Sequence, residues 1–208
     1  VASCRLCLVE VERSPKLVPS CSTPVGEGQV IHTQSDKATR AREQQMELLL
    51  INHPLDCPVC DQGGHCQLQR YSMDHGTDDS RYRFPKRTYP KPNLGPFVDL
   101  ERNRCILCTR CVRFLEEIAG NAELAVMKRG NDSLIGTFME RPLEGEFSGN
   151  TIELCPVGSL TDKVFRFRAR IWELESTPSV CPHCAVGCNI LLDSRRRTHE
   201  LLRVTPRS

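Results

Sequence analysis

Apolar positions along this chain recur in short, differently spaced runs. "CLVEVE", "KLVPSC" and "QVIHTQ" are brief, strand-like segments within residues 7–34. Residues 35–52, "SDKATRAREQQMELLLIN", space their apolar positions as an amphipathic helix does, with Ser35 or Asp36 as its cap. Pro54 ends that helix by biasing His53 away from helical angles. "RCVRFLEEIAG" reads as a second helix closed at Gly120, and "LAVMKRG" and "SLIGTFM" as two short strands. "SLTDKVFRFRARIWEL", residues 159–174, is predicted to form a helix running toward Trp172. "NILLD" and "ELLRV" make a hairpin whose exposed tip carries Arg195, Arg196 and Arg197. Residues 74–96, rich in proline and charge, are the clearest linker. No continuous periodicity joins these pieces and no segment repeats at solenoid period, so the expected class is α+β, built of several small modules.

Composition shows what could hold such modules together. Thirteen cysteines stand beside one Trp, three Tyr and seven Phe, so aromatic burial is thin while thiols are abundant. An odd count, tight C-x2-C spacings and no charged-then-apolar leader favour a reduced compartment, the cytosol, over a secreted disulfide framework. The longest apolar run is "LLLI" at 48–51, far short of the roughly 20 residues needed to span a bilayer, so a membrane link is expected only through partners. A net charge of +2 makes no general case for nucleic acid. The local exception is "RYRFPKRTYPKP", residues 81–92, where basic and aromatic residues interleave. Three prolines forbid a regular helix there, and a solvated connector is the simpler reading.

Spacing sorts every cysteine into a group. Cys4, Cys7 and Cys21 form C-x2-C-x13-C, and Cys57, Cys60 and Cys66 form C-x2-C-x5-C with His53 four residues ahead. Cys105, Cys108 and Cys111 form C-x2-C-x2-C, with Cys155-Pro156 later; Cys181, Cys184 and Cys188 form C-x2-C-x3-C. The third group keeps three thiolates on one tight loop, which suits three corners of a cubane better than the paired knuckles of structural zinc. A distant Cys-Pro completing such a site has precedent in bacterial ferredoxins, which makes Cys155 the natural fourth ligand. His53 supplies the fourth ligand missing from the second group. His65 is its rival, but Cys66 beside it already occupies a corner; His32, His75 and His199 are read as ordinary surface residues. Gly63 and Gly64 fit a backbone passing close to sulfides. Zinc on one histidine and three cysteines remains open in isolation, while the neighbouring ferredoxin-like triple favours a cubane. A neutral imidazole in place of a thiolate removes one negative charge from a cluster and eases its reduction.

Taken in order, "CRLCLVEVE", "NHPLDCPVCDQGGHCQLQ", "RCILCTRCVRFLEEIAG", "FSGNTIELCPVGSL", "FRARIWELESTPSVC" and "CPHCAVGC" resemble the large iron-sulfur subunit, subunit 3, of bacterial NADH:quinone oxidoreductase, respiratory complex I. The resemblance covers essentially the whole chain. It implies that Cys4, Cys7 and Cys21 bind a [2Fe-2S] cluster in a plant-ferredoxin-like domain, and that His53, Cys57, Cys60 and Cys66 bind a [4Fe-4S] cluster. It implies a further [4Fe-4S] cluster on Cys105, Cys108, Cys111 and Cys155, and part of an additional one on Cys181, Cys184 and Cys188. The family's first and last sites each use one more cysteine, upstream of Cys4 and downstream of Cys188, and a large molybdopterin-oxidoreductase-like domain follows. The chain is therefore expected to be an internal fragment with two complete central sites. The implied modules are residues 1–34, 35–76, a linker at 77–96, a ferredoxin-like unit at 97–172, and the start of a molybdopterin-oxidoreductase-like domain at 173–208.

The resemblance implies electron conduction within an oxidoreductase complex, with no catalytic residue in this chain. A flavin-bearing subunit would take hydride from NADH, and this chain would pass single electrons toward quinone alongside other iron-sulfur subunits of the peripheral arm. The expected location is the cytoplasmic side of the bacterial inner membrane, held there by partners. No Ser-His-Asp order or Gly-rich phosphate loop offers a substrate site, and "GEG" at 26–28 is only a turn. The alternatives are the electron-transfer chain of an NAD-linked formate dehydrogenase or hydrogenase, a zinc-stabilised interaction module, and a nucleic-acid binder resting on residues 81–92.

Overall fold

A computed structural model describes residues 1–207. The first three strands, β1 (Leu8–Val11), β2 (Val18–Pro19) and β3 (Ile31–His32), form an antiparallel sheet in the order β2-β1-β3. Alternation in "LVEV" turns Val9 and Val11 inward, at 7% and 8% exposure. Helix α1 (Asp36–Leu50) begins where the Ser35 side chain accepts the Ala38 N–H at 3.3 Å. Ala38 and Met46, eight residues apart on one face, are fully buried. Ser35→Ala should cost about 1 kcal/mol, the usual worth of such a cap, readable as a lowered urea midpoint with an unchanged slope.

A short turn at Cys57–Val59 separates α1 from α2 (Gln67–His75), whose Leu68 packs with Met46 and Val157 in one cluster. Neither helix nor strand forms between His75 and Val98, as the proline content of the linker predicts. That segment is strapped along α1. The Arg81 guanidinium meets the Glu47 carboxylate, Lys86 Nζ donates to the Leu50 and Ile51 carbonyls at 2.9 Å each, and the Arg87 N–H donates to Asn52 Oδ1 at 3.1 Å.

The next unit is built from β4 (Val98–Leu100), α3 (Arg110–Arg113), β5 (Leu124–Met127), β6 (Leu134–Thr137), α4 (Asn150–Leu154) and β7 (Leu160–Asp162). Strands β4 and β7 pair antiparallel, as do β5 and β6, and their apolar faces close on Leu115 with Leu94, Cys111 and Leu143. "RCVRFLEEIAG" is regular only over its first turn. Beyond it the backbone widens, with the Ala119 N–H reaching the Phe114 carbonyl, and Gly120 closes the element at φ +69°.

The helix expected over residues 159–174 does not form. Leu160–Asp162 is claimed by pairing with β4, and Asp162 Oδ1 then accepts the Val164 and Phe165 N–H groups, turning the chain. Phe165 and Ala169 keep a helical spacing of four because both are buried beside Leu174 and Leu202, which explains the misleading pattern. The segment is anchored by the buried Asp99, whose carboxylate meets both Arg166 and Lys91 Nζ, the latter at 2.7 Å. Strands β8 (Leu174–Val180), β9 (Asn189–Arg195) and β10 (Leu201–Pro206) complete a three-stranded antiparallel meander, with Arg196 and Arg197 at the expected hairpin tip. Among the described residues no helix is long and apolar enough to cross a membrane.

Candidate metal centres

Cys105, Cys108, Cys111 and Cys155 line one cavity together with Pro156. The C-x2-C-x2-C loop closes because Leu107 and Thr109 both adopt left-handed conformations, at φ +53° and +60°, and Leu107 N–H points at Cys105 Sγ, 3.4 Å away. Cys111 sits on α3, and Cys155 ends α4 in an extended conformation. The 43 residues between Cys111 and Cys155 are folded back by the β5-β6 hairpin and α4, so the fourth thiol joins the other three. Burial, then the neighbouring cysteines, pushes the Cys105 thiol up to about 11 and the Cys111 thiol up to about 12; burial likewise raises Cys155. Buried thiols of this kind become thiolates only when a cation offsets the lost hydration, which fits a metal-bearing group. The four thiols enclose a small cavity of about 20 Å³.

The second site lies against the first. Cys57 starts the short turn, Cys60 is 8% exposed, and Cys66 stands at the N-terminal cap of α2. Cys66 Sγ lies 3.7 Å from the Pro156 carbonyl, and Cys60 Sγ stands 2.1 Å from where a Cβ on Gly158 would be. The loop Cys155-Pro156-Val157-Gly158 is thus a wall common to both cysteine sets. The glycine pair answers two close approaches. A Cβ on Gly63 would meet the Cys57 carbonyl oxygen at 2.6 Å, and Gly64, at φ +96°, lies under Ile171 and Trp172.

His53 hangs from the C-terminal end of α1, its N–H donating to the Leu50 carbonyl. Its Nδ1 is buried and without a hydrogen-bond partner. Burial first, then the Lys86 and Arg104 charges, lowers its pKa to about 4, so at neutral pH the ring is neutral and carries an unprotonated nitrogen of the kind that ligates metals. The cavity it lines includes Cys105 and Ile106 but not Cys57, Cys60 or Cys66. His65 is lowered by burial and by Arg203, with Asp193 and Asp61 opposing.

Cys4, Cys7 and Cys21 share a cavity of about 460 Å³ with Cys108, Arg113 and Pro156. Cys108 therefore faces both the first and the third cysteine groups. The exposed Cys21 thiol is lowered by backbone bonding at Ala2 and by Cys7. Cys181, Cys184 and Cys188 lie on the connection between β8 and β9, where the Cys181 N–H donates to the Cys188 carbonyl at 2.9 Å; Cys184 and Cys188 are exposed. Among the described residues, no three His, Cys, Asp or Glu side chains converge tightly enough for a single metal ion.

Gly158 and Arg170 are contributors that the sequence pattern did not single out. Gly158 was within its reach, since "CPVG" places a small residue three positions after Cys155; Arg170, more than a hundred residues from the loop it touches, left no local signal.

Three stretches match family descriptions. Residues 1–36 match a 2Fe-2S iron-sulfur cluster binding domain, residues 42–81 the NADH-ubiquinone oxidoreductase-G iron-sulfur binding region, and residues 95–161 the ferredoxin-like domain of NADH-quinone oxidoreductase subunit 3. Cysteines 181, 184 and 188 lie outside all three. The chain is 52% identical over 207 residues to the mitochondrial NADH-ubiquinone oxidoreductase 78 kDa subunit of Candida albicans, covering 99% of this chain and 28% of that protein. It is 47% identical over 205 residues to the corresponding NADH-quinone oxidoreductase subunit of Rickettsia bellii, covering 99% of this chain and 30% of that protein. The chain thus spans under a third of the length of the curated relatives it matches. A crystal structure of an NAD+-reducing [NiFe]-hydrogenase superposes with a TM-score of 0.73 at 30% identity, covering 82% of this chain and 74% of that one. Matching sequence along nearly its whole length, with iron-sulfur binding regions in the same order as its cysteine groups, the chain belongs to the family of the large iron-sulfur subunit of NADH-quinone oxidoreductase, the 78 kDa subunit of mitochondria.

Proposed function

We propose that this chain relays single electrons from a flavin-bearing, NADH-oxidising partner toward quinone, as a peripheral part of the oxidoreductase complex. The observation that carries the reading is the common wall. Cys66 and Cys60 abut Pro156 and Gly158, while Cys155 belongs to the neighbouring set and Cys108 also faces Cys4, Cys7 and Cys21. Electron tunnelling falls steeply with distance, so adjoining sites suit conduction. On this reading electrons would pass from the Cys4/Cys7/Cys21 group to the Cys105/Cys108/Cys111/Cys155 group and on to the Cys57/Cys60/Cys66 group with His53.

Iron-sulfur clusters bound at these residues would supply the one-electron chemistry. The protein's part is to hold, shield and bias them. Cys105, Cys108, Cys111 and Cys155 would hold one group, and the buried Leu100, Ile135 and Leu160 would keep water from it. Cys57, Cys60 and Cys66 would hold a second with His53, whose neutral ring would leave that site one negative charge short of its neighbour. Since the Cys105 and Cys111 thiols are held protonated by burial, loading of their site would release protons. The cysteine group at 181–188 is proposed as part of a further site, on the hairpin connection. Partner subunits would hold the complex at the cytoplasmic face of the membrane.

Iron, zinc and acid-labile sulfide measured in protein purified without oxygen, with EPR after dithionite, tests the reading. Iron and sulfide of at least about eight each, the content of two [4Fe-4S] sites, are expected. Zinc without sulfide would make the chain a structural zinc protein and end the relay reading.

A further inference from the structure

Arg170 reaches across the molecule to the loop that carries Cys57 and Cys60. Its Nη1 donates to the Cys60 carbonyl at 2.7 Å, and its Nη2 to the Pro58 carbonyl at 2.5 Å and the Cys57 carbonyl at 3.1 Å. Three carbonyls on one guanidinium use the planar fork of donors that no other side chain offers. The arginine is itself held in place. Its backbone N–H donates to Glu173 Oε2 at 2.8 Å, the Glu173 N–H returns a bond to the Arg170 carbonyl, and the guanidinium stacks 5.3 Å from the Trp172 ring centroid. Trp172 and Ile171 in turn cover Gly64 in the same cysteine loop.

This contact acts on the loop in two ways. The Cys57 carbonyl already accepts the Cys60 N–H at 3.4 Å and the Cys60 carbonyl the Gly63 N–H at 2.9 Å, so the guanidinium ties these two successive turns and Pro58 together and stiffens the loop that presents Cys57 and Cys60. Among the described residues the Arg170 guanidinium forms no ion pair within 4.0 Å, and the Glu173 carboxylate bonds the Arg170 backbone N–H instead. The Asp61 carboxylate, next to Cys60, accepts the Phe167 N–H at 3.1 Å and is not paired with Arg170. A half-buried positive charge therefore stands on the backbone of one cysteine set, and hydrogen bonds its carbonyls rather than a counter-ion.

We propose that Arg170 is a positioning residue for the His53, Cys57, Cys60 and Cys66 site, fixing its ligand loop and raising the reduction potential of the group held there relative to the group on Cys105, Cys108, Cys111 and Cys155. This rests on the electron-relay reading above. A positive charge stabilises the more negative, reduced form, so its effect adds to that of the imidazole ligand. The two devices act on the same site. They separate two otherwise similar groups that share a wall.

The test uses Arg170→Gln and Arg170→Lys in the full-length chain within its complex, purified without oxygen. Redox titration followed by EPR would resolve the two [4Fe-4S] signals, and hydrogen exchange would report the amides of residues 57–64. Arg170→Gln should lower the reduced-to-oxidised ratio of the His53-site signal about tenfold at fixed potential, which is 59 mV for a one-electron couple, and leave the other signal in place. Arg170→Lys should keep most of the potential, since the charge stays, while speeding exchange in the loop. Equal movement of both signals, or of neither, overturns the proposal and leaves the relay reading intact. Should Arg170→Gln lose the His53-site signal outright, the lysine variant decides: a signal near the wild-type potential supports the proposal, and a signal at lowered potential, or none, overturns it. Absence of iron and sulfide in the unmodified protein would instead overturn the relay reading.

Discussion

Gly158→Ala is expected to remove the iron of the His53, Cys57, Cys60 and Cys66 site while the chain still folds. The added Cβ would stand 2.1 Å from Cys60 Sγ and 3.2 Å from Gln62 Cβ. Non-bonded carbon and sulfur do not approach that closely, so the sulfur, the wall or both must shift. Neither has easy room. Cys60 is 8% exposed and its carbonyl is held by Arg170, while Val157, beside Gly158, is 1% exposed in the cluster with Met46 and Leu68. Overpacking of this sort typically costs about 1–3 kcal/mol, a loss a folded domain survives. A ligand sulfur pushed off its corner is a larger injury, because metal–ligand bonds tolerate only small displacements. The measurement is iron and sulfide per chain with EPR of the reduced protein. A loss of about four iron, with the other [4Fe-4S] signal retained, is the expected outcome. Gly149→Ala is the matched control: a Cβ there meets nothing within 4 Å, so its iron content should be unchanged. Full iron in the Gly158 variant would show that the wall between the two cysteine sets yields, and would weaken the case for their fixed adjacency.

The elements that sequence foretold are those whose signals are local. Ser35 caps α1 and Pro54 follows its end, so that helix was legible to within a residue or two. The β5-β6 hairpin and the tip at Arg196 and Arg197 were legible for the same reason. Residues 159–174 were not, because Leu160 and Thr161 are bound by a strand sixty residues away while Phe165 and Ala169 imitate a helical face. Tertiary pairing overrode local spacing there. The cysteine groups were legible as groups from spacing alone, and Cys155 lines one cavity with Cys105, Cys108 and Cys111. Their adjacency was not legible, since it depends on Pro156 and Gly158 meeting Cys66 and Cys60 across roughly ninety residues of chain. The basic and aromatic stretch at 81–92 illustrates the converse. Its composition suggested a ligand, yet Arg81, Lys86 and Arg87 are engaged with α1 and the residues just beyond it.

That strap leads to the second large effect, the behaviour of His53 in acid. Lys86 and Arg104 add to burial in pressing its pKa to about 4, against about 6.5 in an unfolded chain. Between those values the unfolded chain binds a proton that the folded one does not, so stability falls as pH drops. His53 contributes its full share above about pH 6.5, and that share is lost progressively down to about pH 4. A separation of this size corresponds to about 3 kcal/mol, a large fraction of the stability of a small module. In the metal-free chain, urea unfolding from pH 7 to pH 4 should therefore show a steep loss that His53→Gln flattens, since glutamine does not titrate. In the loaded protein the ring nitrogen would be committed to the metal, and acid must displace that bond before a proton can bind. Loaded protein should accordingly hold its folded baseline to lower pH than metal-free protein, and His53→Gln should narrow the gap and alter one cubane EPR signal. If His53→Gln left the gap and both signals untouched, His53 would be a buried structural histidine and the fourth ligand would have to be sought elsewhere, with His65 the first to try.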